Sequence, residues 1–300
     1  MTARDLPGHR PRRYVGRFAP TPSGPLHFGS LLTAVASFLD ARAHAGTWRL
    51  RIDDLDTPRS VPGATDGIRR TLAEHALHWD GPVAFQSDHV ADYRAALSEL
   101  SRQGLCFRCT CSRKDLRGHG VYPGTCRTRN VPPGPEAALR VHVPDVEYAL
   151  EDRLQGRYAE CLARATGDFV VARRDGLTAY QLAVVVDDAA MRVTDVVRGA
   201  DLLDSTPRQL FLAERLGFET PRYLHLPVIA DRNGEKLSKR TAASTIAPGH
   251  PGQDLQWSLE LLGLEPPERG TPEELLAWAV PRWDAERLPR GTTLATWTSL

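Results

Sequence analysis

Arg13-Tyr14-Val15-Gly16-Arg17-Phe18, then Ala19-Pro20-Thr21-Pro22-Ser23-Gly24-Pro25, then Leu26-His27-Phe28-Gly29-Ser30: these three consecutive pieces decide the fold. The first is rich in β-formers and reads as a short strand. The second carries four breakers, Pro20, Pro22, Gly24 and Pro25, and reads as a loop. After it, Leu31, Leu32, Val35, Phe38 and Leu39 recur at helical spacing, which predicts a helix that begins near Gly29 or Ser30 and ends at Gly46. Residues 47–52, Thr-Trp-Arg-Leu-Arg-Ile, then alternate polar and apolar, like a strand. Strand, helix and strand in about forty residues form a βαβ unit, so the chain is α/β with a Rossmann-like parallel sheet. Ligands of such sheets bind at the carboxyl ends of the strands. The 19–25 loop and Asp53-Asp54-Leu55-Asp56 both fall there.

Working outward, helices are expected at 64–78 and 91–103. Residues 105–135 read as irregular and hold four of the five cysteines, and 138–172 mix short strands with turns. The pattern of 180–190 fits helix or strand. A strand is expected at 193–198, a helix at 205–216 capped by Ser205 or Asp204 and ended by Gly217, a strand at 223–229, and helices at 253–262 and 272–279. The implied organisation is a basic polar tail at 1–12, a nucleotide-binding catalytic domain built from 13–103 and 173–245, an inserted subdomain at 104–172, and a short helical C-terminal segment at 246–300.

Composition narrows the function. A chain of 300 residues with 41% hydrophobic and 25% charged residues is ordinary for a globular protein. A net charge of +1 excludes a strongly basic protein, so any nucleic-acid contact must come from a local patch. No apolar run approaches ~18 residues, and the polar N-terminus lacks the apolar core of a secretory signal, so no membrane association is expected. The five cysteines (106, 109, 111, 126 and 161) are odd in number and tightly grouped. This is the usage of a cytoplasmic protein with a metal site, not of a secreted disulfide framework.

Two separated motifs carry chemistry. His27 and Gly29 sit at the mouth of the first helix, where backbone N–H groups favour anions and Gly29 lets a ligand approach closely. Lys236-Leu237-Ser238-Lys239-Arg240 follows Gly234, whose freedom lets a loop close over a ligand. Lys236 and Lys239 are suited to the β- and γ-phosphates of ATP. Nucleotidyl transfer asks the protein mainly for positioning and for groups aimed at the phosphate oxygens. Together the motifs make an ATP site of His27, Gly29, Lys236, Ser238 and Lys239, with His27 and Lys239 as the catalytic pair. Cys109, Cys111 and Cys126 suit a tetrahedral Zn²⁺. Chemistry alone offers His119 or Cys106 as the fourth ligand, and Cys161 reads as a core thiol.

His27-Phe28-Gly29-Ser30 and Lys236-Leu237-Ser238-Lys239-Arg240 resemble the two signatures of the class I aminoacyl-tRNA synthetases, with Leu for the usual Met and Arg for the last Ser of the second. Arg17-Phe18-Ala19-Pro20-Thr21-Pro22-Ser23-Gly24, Arg51-Ile52-Asp53-Asp54-Leu55-Asp56-Thr57-Pro58-Arg59, Gly176-Leu177-Thr178-Ala179-Tyr180-Gln181-Leu182-Ala183 and Val196-Val197-Arg198-Gly199-Ala200-Asp201-Leu202-Leu203 resemble motifs of its glutamate-specific subgroup. Only sixty residues follow Arg240, too few for the anticodon-binding region of a full glutamyl-tRNA synthetase. The size and the Cys-x-Cys segment are similar to the glutamyl-queuosine tRNA(Asp) synthetase family. That resemblance implies a class I catalytic domain with a zinc-bearing insertion. It implies activation of L-glutamate with ATP and Mg²⁺, and transfer of the glutamate to queuosine in the anticodon loop of tRNA(Asp). A monomer is expected. The alternative is a truncated synthetase charging a tRNA 3′ end.

The resemblance assigns glutamate to Arg17, Ala19, Thr21, Asp53, Tyr180 and Arg198, with Phe18 and Pro20 in the same motif. The two arginines suit carboxylates, and Asp53 suits the ammonium. Asp53 is one methylene shorter than the family's usual Glu, so a looser or water-bridged ammonium contact is expected; Thr21 replaces a common Ser and keeps the hydroxyl. For the zinc, the resemblance points to Tyr122 beside Cys109, Cys111 and Cys126, a structural site of one ion per chain.

Overall fold

The computed structural model describes residues 13–132, 134, 137–229, 246, 249–291 and 293–294. Strand β1 (Val15–Phe18), helix α1 (Phe28–Ala43) and strand β2 (Thr47–Ile52) form the opening βαβ unit, with β1 and β2 parallel from Val15↔Thr47 to Phe18↔Leu50. Helix α2 (Ala64–Glu74) leads to β3 (Ala84–Phe85), which pairs parallel on the far side of β2, and α3 (Val90–Arg102) follows. The next segment is antiparallel: β4 (Cys106–Cys109), β5 (Ala138–Val141), the hairpin β6 (Glu147–Asp152) and β7 (Gly156–Cys161), a single turn α4 (Leu162–Ala165) and β8 (Phe169–Ala172). Helix α5 (Tyr180–Ala190), β9 (Asp195–Gly199), α6 (Thr206–Leu216) and β10 (Arg222–Leu226) restore the α/β alternation, with β9 and β10 parallel. Short strands β11 (Val228–Ile229) and β12 (Thr293–Leu294) pair across helices α7 (Pro251–Leu261) and α8 (Pro272–Ala279).

Thr194 joins the two parallel sheets. Its N–H donates to the Val15 carbonyl (2.9 Å), and its Oγ1 accepts from the Val15 N–H (2.8 Å). The strands therefore lie in the order β3, β2, β1, β9, β10, and the chain leaves β1 in one direction first and returns on its other side later. This reversal opens a crevice at the carboxyl ends of β1 and β9. Helix α1 spans β1, β2 and β9 on one face and carries α7 on another, so Leu31, Val35, Leu39, Trp48, Leu50, Leu255 and Leu259 are all fully enclosed in one core. A second core joins Val141, Phe169 and Val171 of the antiparallel segment to Tyr93 of α3, Leu182 of α5 and Phe211 of α6. Residues 104–172 thus share their apolar interior with the parallel-sheet helices.

Several local expectations are corrected. Helix α1 starts at Phe28, because His27 caps it with its own ring. Gly46 is not its left-handed stop; Ala45 takes that conformation (φ 48°). Gly46 is required for another reason: a Cβ there would lie 2.7 Å from the Tyr14 carbonyl oxygen. Residues 180–190 are helical. Ser205 stands at the start of α6 without a side-chain cap, because a 3-10 turn at Ala200–Ser205 already feeds the helix. The strand expected at 223–229 breaks after Leu226, where Pro227 cannot donate to a ladder. The basic tail at 1–12 lies outside the described residues.

Candidate active site

A cavity of about 610 Å³ occupies the crevice. Arg17, Phe18, Ala19, Pro20 and Thr21 line it from the end of β1, Asp53 from the end of β2, and Arg198 from β9. His27 and Gly29 contribute from the mouth of α1, and Tyr180 from the first turn of α5. Ten of the sequence candidates from five motifs therefore border one space. Lys236, Ser238 and Lys239 lie outside the described residues.

His27 ends the loop and begins the helix. Its Nδ1 accepts the Ser30 backbone N–H (3.1 Å), so the neutral ring carries its proton on Nε2, where Ser30 Oγ lies at 3.0 Å. The ring N–H is thus directed at Ser30 Oγ at the helix mouth, where the N-terminal end of the helix dipole favours an anion. A Cβ at Gly29 would approach His27 Nδ1 to 3.3 Å, so glycine there also leaves the ring its place. Pro20 is fixed by its carbonyl, which accepts the Asp53 N–H at 3.0 Å and ties the first loop to the second.

A buried ionic cluster forms part of the cavity wall and extends behind it. Arg17 reaches Asp188 through Nε (3.3 Å). Arg51 donates from Nε to Asp53 (2.6 Å) and from Nη1 to Asp188 (2.6 Å), with Asp187 at 3.7 Å. Asp187 also accepts from Tyr93 Oη (2.6 Å) and Gln86 Nε2 (2.7 Å). Three carboxylates face two guanidiniums, leaving one negative charge in excess. Burial pushes the Asp53 and Asp187 carboxyls above the usual range, while Asp188, despite its burial, is held below it by Arg17 and Arg51. Arg17, Arg51 and Asp53 of the cluster line the cavity, and Asp53 is the carboxylate among them, so this is where a cationic group would be welcome.

Arg198 is the complementary feature. It is 4% exposed, yet its guanidinium is held on two nitrogens only. Nε donates to His225 Nε2 (3.0 Å), and Nη2 to Thr206 Oγ1 (2.8 Å) and the Leu202 carbonyl (3.3 Å). Nη1 is buried with no hydrogen-bond partner among the described residues. An unpaired buried guanidinium nitrogen is costly unless a ligand completes it, and a carboxylate is its natural complement.

Arg51, Asp187, Asp188, Thr206 and His225 were not singled out by sequence reasoning. Arg51 sits at a polar position of an alternating strand, which predicts a solvated side chain, but a parallel strand covered on both faces buries it. Asp187-Asp188 do leave a signal: two acids directly follow Val184-Val185-Val186 on an apolar helix and call for buried partners.

The cysteine cluster lies in the antiparallel segment. The sulfurs of Cys109, Cys111 and Cys126 are all within 4.8 Å of one another. Tyr122 Oη is 3.4 Å from Cys109 Sγ and accepts the Cys126 N–H at 3.0 Å. Among the described residues no histidine joins the trio; Cys106 packs instead against the second core, and His119 is exposed. Three thiols and a phenol converging on one point form a donor set that fits a tetrahedral metal ion. Cys161 is not a core thiol: it is half-buried and donates to the Asp145 carboxylate (3.0 Å).

Comparison with known proteins agrees with this geometry. The family model of the class I tRNA synthetases (E and Q), catalytic domain, matches residues 14–122 and 126–254. The fold is that of a glutamate tRNA ligase from Elizabethkingia meningosepticum, with a TM-score of 0.77 over 93% of this chain and 66% of that one, at 23% identity. Glutamyl-Q tRNA(Asp) synthetases from Ectopseudomonas mendocina and Pseudomonas aeruginosa are 54% and 52% identical, each over 94% of this chain and 97% of their own length. The chain belongs to the glutamyl-Q tRNA(Asp) synthetase family of class I synthetases.

Proposed function

We propose that this protein activates L-glutamate with ATP and transfers the glutamate to queuosine at the wobble position of tRNA(Asp). The observation that carries the reading is the pairing, around one cavity, of an unpartnered Arg198 Nη1 with an Asp53 that belongs to an over-acidic cluster. A zwitterion needs both. The close relatives, similar over nearly their whole length, supply the specific acceptor.

In the first step the α-carboxylate oxygen of glutamate attacks the α-phosphorus of ATP. The new O–P bond forms as the bond to the β-phosphate oxygen breaks, and pyrophosphate leaves. Arg17 and Arg198 hold the carboxylates, Asp53 the ammonium, and Thr21 and Tyr180 close the amino-acid side. His27 donates from Nε2 to the phosphate oxygens, and Gly29 leaves the backbone open to the nucleotide. Lys236 and Lys239 supply positive charge for the phosphates, with Ser238 in the same motif. Mg²⁺ accompanying the ATP supplies further neutralisation of the phosphate charge. In the second step a hydroxyl of the queuosine cyclopentene-diol attacks the glutamyl carbonyl. An ester forms and AMP departs.

Residues 104–172 serve as a zinc-bearing subdomain on this reading, with Cys109, Cys111, Cys126 and Tyr122 holding one ion. Four protein ligands leave no open position, so the ion would order the 110–126 loop without entering the reaction. Among the described residues no helix is long and apolar enough to cross a membrane. The cysteine usage favours the reducing cytoplasm, and a single copy supplies the described residues that line the cavity. The test of activation is ATP–pyrophosphate exchange: exchange should require glutamate and fail with glutamine, which lacks one carboxylate. Exchange indifferent to the amino acid would reject the assignment.

A further inference from the structure

The hairpin β6–β7 belongs to the antiparallel segment, yet its last inward residue is linked through His225 to Arg198, which lines the glutamate cavity. Asp152 is 5% exposed and accepts from four donors. Its Oδ1 takes the backbone N–H groups of Leu154 (3.0 Å), Gln155 (2.9 Å) and His225 (3.2 Å), and its Oδ2 lies 2.6 Å from His225 Nδ1. With Oδ1 occupied by amides, Oδ2 is left for the imidazole. His225 is fully buried on β10, and its Nε2 faces Arg198 Nε at 3.0 Å. A guanidinium Nε can only donate, so Nε2 must accept, and the ring proton must sit on Nδ1, against Asp152.

We propose that Asp152 and His225 are positioning residues that aim Arg198 at the substrate carboxylate, by fixing the one imidazole tautomer that can accept from Arg198 Nε. The inference rests on the glutamate-site reading of Arg198. The chain of contacts accounts for three facts together: a carboxylate saturated by donors, a histidine with no exposure, and a guanidinium left with only Nη1 unpaired. Thr206 completes the clamp, accepting from Arg198 Nη2 (2.8 Å) while lying 3.3 Å from His225 Nε2. With Nε and Nη2 both engaged, the plane of the guanidinium is set and Nη1 is its free end. The antiparallel segment would thereby tune amino-acid recognition directly.

The test is Asp152→Asn. Asn can still accept the three backbone N–H groups through its oxygen, but its amide nitrogen then faces His225 Nδ1 as a donor. The ring proton is forced to Nε2, donor against donor with Arg198. Glutamate-dependent pyrophosphate exchange should show KM for glutamate raised at least ~10-fold, with kcat and KM for ATP within about 3-fold. A long-range ¹⁵N–¹H spectrum should show the His225 proton on Nδ1 in the native protein and on Nε2 in the variant. An unchanged glutamate KM in a folded variant overturns the proposal. Should the variant not fold, the native spectrum decides alone: a proton on Nε2 overturns it. A native protein without glutamate-dependent exchange would instead reject the underlying assignment, while leaving the tautomer measurable.

Discussion

At the scale of single residues, the site is built from side chains whose polar atoms are nearly, but not wholly, satisfied. Arg198 shows this most clearly, with two nitrogens held by His225, Thr206 and Leu202 and the third left open. Arg198→Lys keeps the charge but cannot span those partners, since an ammonium is a point charge on a flexible stem. Loss of one charge-assisted hydrogen bond is worth about 1.5–3 kcal/mol. Glutamate KM should therefore rise roughly 10- to 100-fold while ATP KM holds. Lys239 plays a different part, since charge on the phosphates grows in the transition state. Lys239→Ala should slow pyrophosphate exchange by roughly 10²–10³-fold with little change in glutamate affinity. Unchanged exchange would remove Lys239 from the chemistry.

At the scale of elements, Gly46 shows how tightly the opening βαβ unit is closed. Its missing Cβ makes room for the Tyr14 backbone and ring as the chain turns from α1 into β2. Gly46→Ala should lower stability by about 1–3 kcal/mol in denaturant unfolding, as overpacking does. The metal loop gives a second element-scale expectation: protein purified without chelator should hold one zinc per chain. A content below about 0.2 mole per mole would reject the site, because a structural ion is part of the folded state. Much of this level was legible in the sequence. The breakers Pro20 to Pro25 and the periodicity from Leu31 to Leu39 announce the first loop and helix, and the Cys109-x-Cys111 spacing announces the metal loop. What the sequence hid is long-range. Nothing near Asp152 says that a strand end in the antiparallel segment meets His225, since that pairing depends on how β6 packs against β10. Arg51 was hidden because alternation along a strand does not reveal whether its polar face will be covered.

At the scale of the whole molecule, buried ions tie distant segments together and make stability depend on pH. Asp40 of α1 accepts from Tyr14 before β1, from Arg153 beyond β6 (2.5 and 2.9 Å) and from Trp283 after α8 (2.9 Å). Burial alone would raise its carboxyl, but these donors, Arg153 above all, hold it below the usual range, as His225 does for Asp152 and Arg127 for Asp168. A carboxyl depressed in the folded state stabilises above its unfolded pKa and loses that contribution as pH falls through the folded one. His225 acts at higher pH. Burial lowers its folded pKa below 6.5, so between 6.5 and that folded value only the unfolded chain takes up the proton. Melting temperature should therefore begin to fall as pH drops below about 6.5 and fall further below about 4, where the carboxylates protonate. His225→Gln should flatten the first phase and leave the second.

Choice of the acceptor is a property of the whole protein. Its most direct test is transfer of labelled glutamate to purified tRNA(Asp), with and without queuosine, alongside tRNA(Glu). Label is expected on queuosine-bearing tRNA(Asp) alone. Label on tRNA(Glu), abolished when periodate oxidises its 3′ end, would contradict it and make the protein a truncated synthetase that charges the 3′ terminus.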